Sequence, residues 1–146
     1  MATLRNRYLS LLRDTPVSIF SPNGFPLKGR IVEHDDTALV VYTEQYETPK
    51  NVLSLDFVAI VPFTFKNDEL YQYNMFENPA DTTLRQKSLG KLLYKDVCAI
   101  TPNGFRMIGR LVAYDDTDIV IETYQYEKSK NGCLALVHQF VSVIPE

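Results

Sequence analysis

Apolar and polar positions change their period along this chain in a pattern that is written twice. Leu4, Tyr8, Leu11 and Leu12 recur at i, i+4, i+7 and i+8, the spacing that lays apolar side chains along one face of a helix. Pro16 stops that helix from running on, because it lacks the backbone N–H and its ring clashes with the preceding turn. Short β-patterned runs follow, near 17–21, 25–34, 38–46, 51–57 and 58–62. The pattern then restarts. Thr83 and Gln86 stand at capping-box spacing ahead of Leu89, Leu92 and Leu93. Strands are expected near 97–101, 105–114, 118–126, 132–140 and 141–144.

The restart is a repeat in the residues themselves. Ser21-Pro22-Asn23-Gly24-Phe25 is answered by Thr101-Pro102-Asn103-Gly104-Phe105, at an offset of 80. The same offset joins Thr3-Leu4-Arg5 to Thr83-Leu84-Arg85, Gly29-Arg30 to Gly109-Arg110, and Asp35-Asp36-Thr37 to Asp115-Asp116-Thr117. It also joins Gln45-Tyr46-Glu47 to Gln125-Tyr126-Glu127 and Lys50-Asn51 to Lys130-Asn131. Roughly half of positions 3–51 are identical to their partners, which identifies a tandem duplication. The register slips by three before Ala59–Pro62 meets Ser142–Pro145, placing an insertion near the connection of strands 3 and 4. Asn-Gly tolerates positive φ at both central positions, so each turn is expected to be a tight hairpin. Gly29 and Gly109, inside long strands, mark a sharp bend or a close backbone approach. The organisation is therefore 1–63, a first unit; 64–82, a linker; and 83–146, a second unit.

The chain has 146 residues, 45% of them hydrophobic, enough to build a core. No apolar run reaches the roughly 18–20 residues of a membrane span, and the N-terminus has no apolar signal core, so a cytoplasmic protein with no membrane partner is expected. Cys98 and Cys133 on strand-like runs suggest buried thiols in a reducing compartment. The net charge of −3 argues against a strongly basic nucleic-acid binder. Most of that acidity lies in the linker, where Lys66 stands against Asp68, Glu69, Glu77 and Asp81. The linker also carries Phe65, Tyr71, Tyr73, Met75 and Phe76, so it is expected to pack rather than hang free, with a short helix near 68–76.

A helix followed by a strongly bent five-stranded antiparallel sheet, in about 60 residues, belongs to a short list of folds. The run from Pro16 to Val41, with the Asn-Gly turn, the "LKGRI" second strand, the aspartate of the next turn and the closing "VP" of Val61-Pro62, resembles the bacterial Hfq branch of the Sm/LSm proteins. Residues 83–146 resemble it as a more diverged second copy. The resemblance implies a mostly β chain of two tandem Sm-like units, each an N-terminal helix plus a strongly bent five-stranded open barrel of SH3-like form. It also implies edge-strand pairing, strand 4 to strand 5 of the next unit, into a homo-oligomeric ring. Three chains supplying six units is the simplest closure.

The resemblance further implies single-stranded RNA as partner, bound on the ring faces. At the pore side, the family's stacking aromatic is replaced by Thr37 and Thr117, and of its Tyr-Lys-His triplet before the last strand only His138 remains. The opposite face keeps Phe20, Asn23, Gly24, Phe25 and Lys28 in the first unit and Asn103, Gly104 and Phe105 in the second, with Arg30 and Arg110 alongside. These eleven residues, His138 included, form the candidate RNA-binding set. Each has a plainer reading. The phenylalanines suit core or inter-subunit packing. His138 suits a structural histidine. The two arginines suit an interface ion pair as well as a phosphate contact. The aspartate pairs suit turn closure, since neighbouring turn residues point apart. No phosphate loop, metal-ligand spacing or nucleophile–base pair is present, so no catalysis, cofactor or metal is expected. Two functions remain: an RNA-binding ring acting in RNA metabolism or regulation, or a ring-shaped scaffold that has shed the family's RNA pockets.

Overall fold

In a computed structural model, residues 3–12, 15–62, 82–124 and 133–146 are described. The expected linker helix near 68–76, the linker aromatics, and the repeated Gln125–Asn131 segment lie outside them. Each half begins with a helix: α1 (Leu4–Leu11) and α2 (Leu84–Leu92). Both start on a threonine whose hydroxyl accepts an otherwise orphaned N–H, Asn6 N at 3.1 Å for Thr3 and Gln86 N at 3.0 Å for Thr83. In α2 the Gln86 side chain also accepts from Thr83 N at 3.2 Å, which completes the expected capping box.

Ten strands follow in two sets of five. The first set is β1 (Val17–Phe20), β2 (Pro26–His34), β3 (Leu39–Thr43), β4 (Lys50–Ser54) and β5 (Ala59–Pro62). The second is β6 (Asp96–Ile100), β7 (Arg106–Tyr114), β8 (Ile119–Thr123), β9 (Cys133–Val137) and β10 (Ser142–Pro145). Both sets take one order, strand 5 beside strand 1, then 2, 3 and 4. Thr43 faces Lys50 and Thr123 faces Cys133, seven and ten residues on, so the three inserted residues fall between β8 and β9. The strand glycines are sites of close approach. A Cβ on Gly29 would lie 2.1 Å from the Tyr42 carbonyl oxygen, and one on Gly109 2.1 Å from that of Glu122. Immediately beyond each, the pairing shifts by one residue, at Ile31/Glu33 and Leu111/Ala113, and the long strand bends.

Three features correct the reading from sequence. The halves are not separately closed. They share one open antiparallel ten-stranded sheet, because β5 pairs with β9 (Ala59 opposite Val137, Ile60 opposite Leu136). One hydrophobic cluster accordingly mixes Leu4, Tyr8, Leu12 and Phe57 with Val112, Val120, Leu134 and Leu136, while a second joins Ala59 and Val61 to the rest of the second half. The apolar face of α1 also differs. Leu9 is buried and Leu11 only partly so, because the helix lies over the junction and is covered on two sides. In the turns, only Gly24 (φ +87°) and Gly104 (φ +85°) take positive φ; the asparagines do not. Asn23 and Asn103 act through their side chains, accepting from Phe25 N at 3.2 Å and Phe105 N at 3.3 Å, an Asx turn in place of the mirror-image hairpin. Cys98 and Cys133 are buried and not joined in a disulfide. Among the described residues no helix is long and apolar enough to cross a membrane.

Candidate functional site

The pairing of β5 with β9 brings the two Asn-Gly turns together. Phe20 closes β1 and Phe105 immediately precedes β7, and their rings stack with centroids 5.5 Å apart and planes 20° from parallel. Gly24 approaches Asn103, whose Nδ2 would lie 4.0 Å from a Cβ placed there. Phe20, Asn23, Gly24, Asn103, Gly104 and Phe105 thus share one surface. The aromatic face that Phe20 would offer a base is occupied by Phe105. Phe25, in the same turn as Asn23 and Gly24, is 48% exposed.

Lys28 and Arg30 are two apart on β2 and so point to one side of it. They line an open groove of about 430 Å³ with Pro16, Tyr42, Glu44 and Gln45. Gln45 holds that wall to the strand, its Oε1 accepting from Lys28 N at 2.8 Å and its Nε2 donating to the Pro26 carbonyl at 3.0 Å. The second half does not repeat this cationic pair. Ile108 takes the place of Lys28, and Arg110 lies across from Asp96 on one side and Glu122 on the other. Arg30 faces Tyr42 instead.

His138 lies elsewhere, at the junction. Its Nδ1 is 2.8 Å from Oδ1 of Asp118, a fully buried carboxylate. The imidazole stacks on Phe57 at 4.8 Å, and the Arg5 guanidinium sits 5.0 Å from the same ring. Arg5 donates from Nη1 to the Asp36 carbonyl at 3.2 Å. Arg5 Nε and Asp118 Oδ2 are buried with no protein partner. Histidine, phenylalanine and arginine therefore form one column across the two halves, linked by backbone to the turn surface: Val58 N donates to the Phe20 carbonyl and His138 N to the Val58 carbonyl, each at 2.7 Å.

The aspartate pairs are turn devices. Asp35 Oδ1 accepts from Thr37 N (2.8 Å), Thr37 Oγ1 (2.9 Å) and Ala38 N (2.9 Å), and Asp115 Oδ1 accepts from the same three positions of its own turn. The Thr37 N–H leads the donors that hold the Asp35 carboxyl below the usual aspartate range. The second aspartate of each pair accepts from the helix of its own half, Asn6 Nδ2 to Asp36 at 2.7 Å and Gln86 Nε2 to Asp116 at 2.7 Å.

Sequence reasoning missed Arg5, Phe57 and Asp118. The signal for the first two was present: Arg5 and Arg85 match at offset 80, Phe57 and Phe140 at offset 83, and Arg85 sits 4.8 Å over Phe140 as Arg5 does over Phe57. Asp118 had no signal, since its counterpart is Ala38. No family model matches the chain, and neither a curated protein nor a solved structure does.

Proposed function

We infer that this chain is a tandem Sm-like protein that assembles into a closed ring and binds single-stranded RNA without catalysis, in RNA metabolism or regulation. The observation that carries the reading is the β5–β9 pairing: strand 5 of one half adds to strand 4 of the other, the edge-to-edge addition the sequence resemblance implies between units. The identical strand order of the halves, each behind its own capped helix, supports it. Repeating that addition between chains would pair β10 of one copy with β4 of the next, and three copies would present six units. Cys98 and Cys133, buried and not joined in a disulfide, support a cytoplasmic setting.

RNA is assigned to the turn side, with Lys28 and Arg30 meeting phosphate beside their groove and Phe25 offering its exposed ring to a base. One observation favours the second reading, a scaffold ring without RNA. Phe20 and Phe105 spend their facing surfaces on each other, and the net charge of −3 repels phosphate. Anisotropy titration of short A-rich and U-rich RNA at low and high salt separates the two. The RNA reading expects binding that falls steeply with salt and is mostly lost in the Lys28→Ala/Phe25→Ala double variant. Loss in His138→Ala with the double variant unaffected would move the site to the junction. No binding of either RNA at low salt leaves the scaffold.

A further inference from the structure

The ends of the ten-stranded sheet are the outer edges of β4 and β10. Their counterparts inside the chain, at offset 83, are β9 and β5, which are paired to each other. All residues of β9 and β5 are buried, and no residue of β4 or β10 is. Beside β4 runs an open groove of about 530 Å³, with Val32, Glu33, Val40 and Leu53 in its wall. The counterparts of those four, Val112, Ala113, Val120 and Leu136, are fully buried in one cluster with Leu4, Tyr8 and Phe57. The matching groove of the second half is thus filled, and what fills it is α1 and Phe57 of the first half. Leu4 N donates to Asp115 Oδ2 at 3.0 Å at the mouth of that filled groove.

The chain carries the same plug again at its other end. The counterpart of Leu4 is Leu84 on α2; Leu4 is 0% exposed and Leu84 82%. The counterpart of Phe57 is Phe140, braced by Arg85 as Phe57 is by Arg5. Charge agrees with shape. α2 carries Arg85, Lys87 and Lys91 and no acid, and the wall of the empty groove carries Glu33 and Asp35.

We propose that α2 of a second copy of this chain fills the groove beside β4. Leu84 takes the place that Leu4 takes over β9, its N–H meets the Asp35 carboxylate, and Phe140 packs against Leu55, the counterpart of His138. The contact between chains is not a copy of the internal one: Leu55 and Ala38 stand where the internal junction has the His138–Asp118 pair. Tyr8, which seals the internal junction, is replaced by Ser88. The assembly therefore comes apart between chains before the internal junction opens. This inference rests on the ring reading above and names the element that makes the ring's contact specific.

Light scattering on the eluting full-length chain at micromolar concentration tests it, with Leu84→Asp and Val32→Asp as variants. Both residues are exposed in the single chain, so folding should survive, which circular dichroism checks. The expected result is a wild-type mass at a multiple of 16.7 kDa and single-chain mass for both variants. A wild type that assembles with neither variant affected overturns the helix docking and leaves ring closure through strands standing. A wild type that elutes as a single chain overturns both. As a second measurement, Leu84→Cys combined with Asp35→Cys should form disulfides between chains under mild oxidation, giving a ladder on a non-reducing gel. Assembly without that ladder, or a link confined within one chain, overturns the docking.

Discussion

Replacing Tyr8 by phenylalanine should loosen the junction between the halves without opening a cavity. The Tyr8 ring is fully buried and its hydroxyl donates to the Leu134 carbonyl of β9 at 2.5 Å, with the Ile60 carbonyl of β5 at 3.4 Å. Burial pushes the phenol well above its ordinary pKa, so it stays protonated and remains a donor across the accessible pH range. Tyr8→Phe keeps the ring and removes only the donor. A neutral buried hydrogen bond contributes about 0.5–1.5 kcal/mol, and an acceptor left without its partner adds to the loss, so about 1–2 kcal/mol is expected. For a chain of this length that is a Tm drop of roughly 3–8 °C. Urea unfolding at fixed protein concentration reads it as a lower midpoint with an unchanged slope. Tyr8→Ala, which also removes the ring, should cost about 3–5 kcal/mol through the cavity it leaves. A neutral Tyr8→Phe beside a costly Tyr8→Ala would refute the role given to the hydroxyl and leave the residue as packing alone.

Gly109→Ala should destabilise by about 1–3 kcal/mol or more, because the new methyl meets the Glu122 carbonyl at 2.1 Å on a paired strand, where neither backbone can yield. Gly104→Ala, with open space around it but φ of +85°, should cost only the roughly 1–2 kcal/mol of left-handed backbone; equal losses at the two sites, compared by thermal melts, would contradict the close-approach explanation. Asp35 has its folded pKa lowered by the Thr37 and Ala38 donors, so its contribution is present above the unfolded value and disappears as pH falls through the lowered folded value. Asp35→Ala should therefore be less stable than wild type at neutral pH, with the gap between their urea midpoints closing below the ordinary aspartate range. A gap that persists in acid would mean that the carboxylate charge is not the source.

Several parts of this molecule were legible without coordinates because their causes are local. A threonine three residues ahead of a glutamine suffices to start α2, and the capping hydrogen bonds are there. Strand periodicity placed all ten strands to within a few residues, and the strand glycines marked the close approaches, since only a missing Cβ lets two backbones come so near. The aspartate turns followed from the habit of a short carboxylate to accept from the backbone two and three residues on. Repetition at a constant offset displayed the duplication directly.

What the residues alone left open was how the two copies meet. Nothing in the periodicity of Ala59–Pro62 distinguishes a strand that stops at a free edge from one that continues into a second sheet, because a backbone edge offers the same donors and acceptors to any partner. The pairing of β5 with β9 decided that, and further consequences came from it. It buried α1 on both sides, drew Phe20 onto Phe105, and gathered Arg5, Phe57, Asp118 and His138 from four separate stretches of chain into one column. It also made unequal two copies of one repeat, covering Leu4 and leaving Leu84 in solvent. Burial is a property of neighbours, and the neighbours of a duplicated unit are set by which edge its twin occupies.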